Sequence, residues 1–343
     1  MSRIFVAGMG AVSPAGWDVA DMRNALDRGQ SLPVQSLARP GWDHRTLCVR
    51  LVPTPMPRPE FLAHPRLRRS SPISHYAAAA ALEATAGLRA QAEDDDLRLG
   101  IVVCLQTGCV QYTCRFYEET LNNPATASPL LFPETVYAAP TSHVAALLEN
   151  VVVAYTLVGD SSAYIQGVAL ASEWLADRHV DACLIIGAEE TNWIIPDALR
   201  HLDRKAIVAA GAGALCLCRD GTLSSGVELA AITDAHSFTS GRSRPLAAKT
   251  MREQLGKCAP GELLADGLGN NPRTDGAEQV AWSDWTGARI SPKRIFGEGM
   301  MAAAAWQFIL ACDAVARGQY TAANISLVGA NQQALGARVI AGQ

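Results

Sequence analysis

The run VVVAYTLV at 151–158 is apolar at almost every position, and it stops at Gly159-Asp160-Ser161 before a helix-like stretch, AYIQGVALASEWL. A strand with no polar alternation must be covered on both faces, so this chain needs helices above and below its sheet. The same order recurs along the sequence. LRLGIVVCLQTG, VDACLIIGAEE and AIVAAGAGALCLCRD read as strands, and ANISLVGAN reads as the last one. PISHYAAAAALEATAGL, TSHVAALLE, 161–178 and an Ala-rich stretch at 299–317 read as helices. Apolar strands alternating with helices predict a layered α/β fold.

The chain opens with an apolar strand, RIFVAGMGAVSPAG, that ends in a Gly-rich loop. DVADMRNALDRGQ then has helical spacing, with Asp18 as its N-cap. Residues 31–66 carry many prolines and read as a long irregular excursion, and 237–280 as loops around one short helix. One pattern occurs twice, at 159–187 and 297–329: a turn, a buried helix, an Arg, then an apolar strand ending in Gly. This echo points to duplicated halves.

Composition narrows the function classes. Across 343 residues, 49% are hydrophobic and only 18% charged, which supplies a large core and leaves little polar surface, hinting at a buried partner interface. The net charge of −4 argues against general affinity for nucleic acid, and RLRRSS at 66–71 reads as a solvated loop. Nine cysteines lack metal-ligand spacing, and Cys216 and Cys218 fit buried strand thiols. No metal or other cofactor is expected. GMMAAAAWQFILACDAVA at 299–316 imitates a membrane span, but it is dominated by Ala and holds Gln307 and Asp313. Ala anchors poorly in lipid, so a helix buried in protein is the expectation, with no membrane contact. No signal-peptide pattern precedes MSRIFVAGMG, which predicts a reducing cytoplasm.

Strand, sharp turn and helix N-terminus is the geometry in which many enzymes mount a nucleophile, which raises Ser161 as a candidate. Asp160 and Ser161 are equally the residues that cap a helix start, and that is the simpler reading of both.

Several segments, in order along the chain, resemble one family. They are VAGMGAVSPAGWDVADMRNALDRGQS, ASPLLFPETVYAAPTSHVAALL, YTLVGDSSAYIQGVALASEWLADRHVDACLIIGAEE, GAGALCLCRD, SPKRIFGEGMMAAAA and SLVGAN. The chain resembles the β-ketoacyl synthases, the condensing enzymes of fatty-acid and polyketide synthesis. The resemblance implies a thiolase-like fold of five layers, α-β-α-β-α, with two related halves at 1–220 and 221–343 and an obligate dimer. The elbow falls in the first half.

Active members use a Cys nucleophile at the N-terminus of the long buried helix, where the dipole and backbone N–H groups favour a thiolate and bind an oxyanion. Two His and a nearby Lys complete the site. Carried over residue by residue, the Cys position falls on Ser161. The first His falls on Asp266 or Gly267, within DGLGNNPRTD. The second falls on Glu298 in KRIFGE, where Lys293 and Gly297 survive. In ISLVGAN, Gly329 and Asn331 survive, and the gating Phe positions become Ile325 and Leu327. No His is placed to compensate; His143 lies in the helix before the elbow strand. The chain is also short around 190–210, and Ala210 stands at a family Glu position.

A serine needs an adjacent base where a cysteine ionises on a helix dipole alone. Glu298 could serve as that base, but a carboxylate there repels a malonyl carboxylate, so decarboxylation is spoiled. Glu298 also reads as a partner of Lys293 or Arg294, or as an acceptor at the start of the Ala-rich helix.

Members of this kind exist, the chain-length factors of type II polyketide synthases. They pair with an active ketosynthase and shape the tunnel for the growing acyl chain. A short form accompanies systems that make polyenes or highly reduced polyketides. The resemblance therefore implies a non-catalytic subunit that heterodimerises with a catalytic β-ketoacyl synthase and meets acyl carrier protein mainly through that partner. Gln106, Cys109, Tyr112, Phe116 and Leu131 would line the tunnel and interface, and NVVVAYTLVG would lie at the dimer contact. Cys109, Tyr112 and Phe116 also fit a plain core stripe at helical spacing. The alternatives are a Ser161-dependent acyltransferase or thioesterase of the same fold, and a homodimeric acyl-chain-binding protein.

Overall fold

The computed structural model describes residues 3–41, 46–91, 97–219, 225–256, 259 and 261–342. The expected junction between the halves, at 220/221, lies outside these residues.

The first half contributes strands β1 (Phe5–Val12), β2 (Gln35–Ala38), β3 (Thr46–Arg50), β4 (Leu99–Leu105), β5 (Val151–Val158), β6 (Ala182–Glu189), β7 (Val208–Ala209) and β8 (Gly211–Cys218). Its helices are α1 (Val19–Arg28), α2 (Pro72–Gln91), α3 (Val110–Asn122), α4 (Ala139–Leu148), α5 (Ala163–Ala176) and α6 (Ile194–Leu199). The second contributes β9 (Val227–Ile232), β10 (His236–Ser237), β11 (Glu262–Ala265), β12 (Ala288–Ile290), β13 (Ala322–Val328) and β14 (Gln333–Ala341). With them come α7 (Arg244–Gln254), α8 (Pro272–Ala281), α9 (Pro292–Phe296) and α10 (Met300–Ala316).

Strand order makes the duplication explicit. One half runs β5-β4-β6-β8-β1 and the other β12-β11-β13-β14-β9, so chain order maps onto sheet order identically in both. The senses match as well: β4 is parallel to β5 and β6, then β8 and β1 add antiparallel. Likewise β11 is parallel to β12 and β13, then β14 and β9 add antiparallel. The two arrays meet through a single pair, Phe5 with Glu228.

Helices complete five layers. α2 covers β1, β8 and β6 on one outside face, with α4 beside it over β4 and β5. α7 and α8 cover β14 and β13 on the other. α5 and α10 lie between the arrays, α10 touching β6 and β8 on one side and β11, β13 and β14 on the other. That position explains the Ala-rich sequence: Met301 to Val315 are buried throughout, and small side chains let both sheets approach. Gly187 and Gly213 extend the same logic, because a Cβ at Gly187 would meet the Met301 carbonyl oxygen at 2.4 Å and one at Gly213 the Ala305 Cβ at 2.7 Å. Among the described residues no helix is long and apolar enough to cross a membrane.

Asp18 caps α1 as expected, its Oδ1 accepting from Asp21 N at 2.6 Å. Cys216 and Cys218 are buried strand residues, and Arg66, Arg68 and Arg69 lie exposed in turns. Three expectations are corrected. The excursion at 31–66 holds β2 and β3, which join β7 in a small separate sheet. The segment 237–280 holds two helices and β11 rather than loops around one helix. ANISLVGAN is followed by one further strand, β14, whose apolar run is interrupted by Arg338; Glu262 neutralises that charge, with Arg338 Nη1 at 2.8 Å from Oε2.

Candidate active-site pocket

The turn from β5 into α5 is held by Asp160. Its Oδ1 accepts from Ser162 N at 3.3 Å and Ser162 Oγ at 2.5 Å, and its Oδ2 accepts from Asn331 N at 3.2 Å and Gln332 N at 3.1 Å. The elbow is therefore pinned to the loop after β13. Gly329 has a physical reason in that loop: a Cβ there would sit 2.1 Å from Asp160 Oδ2. The N-cap position of α5 falls to Ser162, with no side-chain capping bond, and Asp160 braces the turn before it; this corrects the reading of Ser161 as a cap. α5 begins at Ala163, and the Ser161 side chain takes no capping bond.

Ser161 instead lines a pocket of about 280 Å³, together with Gln106, Gly267, Lys293 and Glu298. The fold thus gathers the elbow, the loop after β11 and the loop between α9 and α10 around one space. Lys293 Nζ donates to Glu298 Oε2 at 2.8 Å, and Met300 N donates to Glu298 Oε1 at 2.9 Å. Both Glu298 oxygens are engaged, one by a salt bridge and one by the start of α10. Burial works against the charge on Lys293, but Glu298 outweighs it, and the ammonium is held above its ordinary pKa.

Asp266 does not line the pocket. It is buried behind Gly267, its Oδ2 3.3 Å from Arg289 Nε and its Oδ1 accepting from Leu268 N at 3.2 Å. Burial raises its pKa, against the pull of Ser291 and Arg289. Of the tunnel candidates, only Gln106 reaches this pocket. Its backbone N–H donates to Glu189 at 2.6 Å, and burial pushes that carboxyl up to about 7 despite its donors. Cys109 is buried at the start of α3, with Sγ 3.7 Å from the Val136 carbonyl oxygen, and burial pushes its thiol up. Tyr112 and Phe116 are half-buried along α3, the Phe116 ring lying 5.6 Å from that of Phe132, and Leu131 is buried in the following loop. Ile325 and Leu327 are buried within β13; Val328 and Ala330, just after them, line the pocket. His143 pairs with Glu134 Oε2 at 2.8 Å on α4 and does not line it.

Sequence reasoning missed six charged residues on this wall: Arg50, Asp203, Lys205, Arg244, Asp275 and Glu278. Glu278 is buried, accepts from Ser326 Oγ at 2.5 Å and Gly267 N at 3.2 Å, and is pushed up to about 8 by burial and by Asp266. Above 4.5 an unfolded chain has released the proton that the folded chain keeps until about 8. Stability therefore falls as pH rises across that window, by about 1.4 kcal/mol for each unit. Glu278→Gln is expected to flatten this dependence, stabilising the chain measurably at pH 9 and changing little near pH 5. Denaturant midpoints at pH 5, 7 and 9 check it; an equal loss at every pH contradicts it.

Chemically, the pocket wall carries no Cys and no His. Ser161 has no hydrogen-bonded carboxylate or imidazole among the described residues, so no nucleophile–base pair is assembled. Among the described residues no group of His, Cys, Asp and Glu is arranged to hold a metal ion.

No protein-family model matches the chain, and no curated protein sequence matches it. Solved structures do. A β-ketoacyl synthase from Burkholderia phymatum STM815 superposes with a TM-score of 0.81 at 16% identity, covering 100% of each chain. A type II polyketide synthase complex of an acyl-carrier protein with its ketosynthase, bound to the hexaketide, gives 0.80 at 16% identity over 99% of each chain. A ketosynthase in complex with its chain length factor, from Xenorhabdus doucetiae, gives 0.79 at 14% identity, covering 99% of this chain and 98% of that one. The duplicated strand order, the buried middle helices and these superpositions together establish the fold: the chain is built like the ketosynthases it superposes on.

Proposed function

We propose that the chain is a ketosynthase-like subunit without condensing activity of its own, which pairs with a catalytic β-ketoacyl synthase and shapes the acyl-chain tunnel of a type II polyketide or related system. The observation that carries this reading is the wall of the elbow pocket. Ser161 and the Lys293–Glu298 ion pair stand where the resemblance implies Cys and His, and no Cys or His lines the space. A thiolate, an oxyanion stabilised at the helix start and a neutral imidazole donor are the parts that decarboxylative condensation requires. The pocket lacks the first and the third.

The surface supports a partner. β5 is an edge strand paired only with β4, and it exposes Val152, Tyr155 and Val158, each more than half accessible. Tyr117 and Leu121 on α3, with Leu130, Phe132 and Tyr137 after it, are exposed as well. An open apolar edge is an aggregation hazard unless another chain covers it. Two structural neighbours are ketosynthases with chain length factors, and another is a ketosynthase with its acyl-carrier protein. In this reading carrier protein is met mainly through the partner, in the cytoplasm.

The test is co-expression with a candidate ketosynthase followed by native mass spectrometry. A one-to-one heterodimer is expected, with self-association or poor solubility of the chain alone, because obligate interfaces bury ~2,000–5,000 Å². A monodisperse, stable monomer in isolation contradicts the reading.

A further inference from the structure

The elbow pocket holds charges that the proposed subunit role leaves unused. Arg50, at the end of β3, and Arg244, at the start of α7, are 5% and 8% exposed, and both line the pocket. Neither has an ion-pair partner among the described residues. Arg50 Nε donates to the Leu32 carbonyl at 2.9 Å, and Arg244 Nη2 makes a long bond of 3.4 Å to the Val328 carbonyl. Arg244 Nε is buried with no hydrogen-bond partner. A guanidinium keeps its proton in a protein, so each is a buried charge that awaits an anion.

The acids on the same wall do not supply it. Asp160 is saturated by four donors from the elbow and the loop after β13. Asp275 accepts from Gly269 N and Asn271 N, both at 3.1 Å. Asp203 accepts from Lys205 N at 2.9 Å and Ala206 N at 3.2 Å. Glu298 is held by Lys293 and Met300 N, and Glu278 keeps its proton up to about 8. Each carboxylate is thus hydrogen-bonded to its own neighbours: Asp160, Asp275 and Glu278 act on Arg244 through space, but none closes an ion pair with either guanidinium.

Their places in the pocket differ. Arg50 stands beside the α9–α10 loop, its Nη1 3.5 Å from where a Gly297 Cβ would be. Arg244 stands by Val328, next to the loop that pins the elbow. Apolar side chains share the wall with them, among them Leu199, Ile207, Met300 and Val328. At about 280 Å³ the pocket is near the lower end of ligand sites, which run from roughly 300 to 1,000 Å³.

We propose that this pocket binds a small dicarboxylate with a short aliphatic spacer, one carboxylate on Arg50 and the other on Arg244. The planar guanidinium fork matches a carboxylate with two parallel hydrogen bonds, and the burial of both arginines strengthens the contacts. The proposal is independent of the subunit's pairing.

The experiment is isothermal titration calorimetry on the full-length chain, as purified or with its partner. The probes are malonate, succinate, glutarate and adipate, with acetate and inorganic phosphate for comparison. At least one dicarboxylate is expected to bind saturably, at least tenfold tighter than acetate or phosphate. Arg50→Gln and Arg244→Gln are each expected to weaken it at least tenfold. Absence of saturable binding, equal binding of acetate, or tighter binding of phosphate overturns the proposal. So does a folded Arg244→Gln or Arg50→Gln chain that keeps full affinity. If either variant fails to fold, the comparison of probes on the unaltered chain still decides.

Discussion

Replacing Phe116 with alanine in the assembled complex is expected to lengthen the main product by at least one two-carbon extension. A growing acyl chain is an extended apolar tail that must end against side chains. Phe116 is half-buried on α3 and rests against Phe132, ring centres 5.6 Å apart, beside the exposed apolar side chains of Tyr117, Leu121 and Leu130. Removing the ring opens space that its neighbours only partly fill. A tail entering it gains ~0.8 kcal/mol for each CH₂ buried, so one more extension is favoured by ~1.6 kcal/mol, enough to change the dominant product. Tyr112→Ala is expected to act alike, and bulky replacements of the buried Cys109 to shorten the product. The product profile, by liquid chromatography and mass spectrometry at matched complex concentration, checks this. If all three positions alter only yield, the helix is ordinary core and the tunnel runs elsewhere.

The second large effect concerns assembly. Tyr155→Glu on β5 is expected to weaken pairing with the catalytic partner at least a hundredfold while leaving the isolated fold intact. Tyr155 is 53% exposed in the lone chain, so the substitution costs that chain little. In the complex it would bury a carboxylate with no partner, a penalty of several kcal/mol. Val152→Glu, near the start of the same strand and 55% exposed, should do the same. Size-exclusion chromatography and native mass spectrometry with the partner read the pairing, and circular dichroism the fold. Unchanged pairing would remove β5 from the interface.

Much of the architecture was legible because burial wrote it into the sequence. β4 and β6 are buried at every position and appear as unbroken apolar runs, and the Ala-rich α10 follows from its place between two sheets. What escaped was structure whose buried face is small or interrupted. α7 buries only Arg244, Ala247, Ala248 and Met251, a clean helical spacing hidden by the charged residues between them. β14 escaped because Arg338 sits inside it, acceptable only once Glu262 is beside it in space. β2 and β3 close onto β7, a pairing no local pattern announces.

The site divides in the same way. Ser161, Lys293 and Glu298 were found through the resemblance, and the fold brings them to one pocket. Asp266 was reached by the same route but stands behind Gly267 against Arg289. Arg50, Arg244 and Glu278 had no sequence signal, since a charged residue reads as surface until the fold buries it.

The central claim is that this chain carries no chemistry of its own in the complex, and Ser161→Ala tests it most directly. The measurement is turnover of the purified heterodimer on acyl and malonyl carrier thioesters, together with the intact mass of this chain afterwards. The account predicts output within about twofold of the unaltered complex and no acyl adduct on Ser161, because the partner supplies the reacting groups. A loss of about a hundredfold or more with the heterodimer intact, or an acyl group found on Ser161, would make this chain an acyltransferase in its own right.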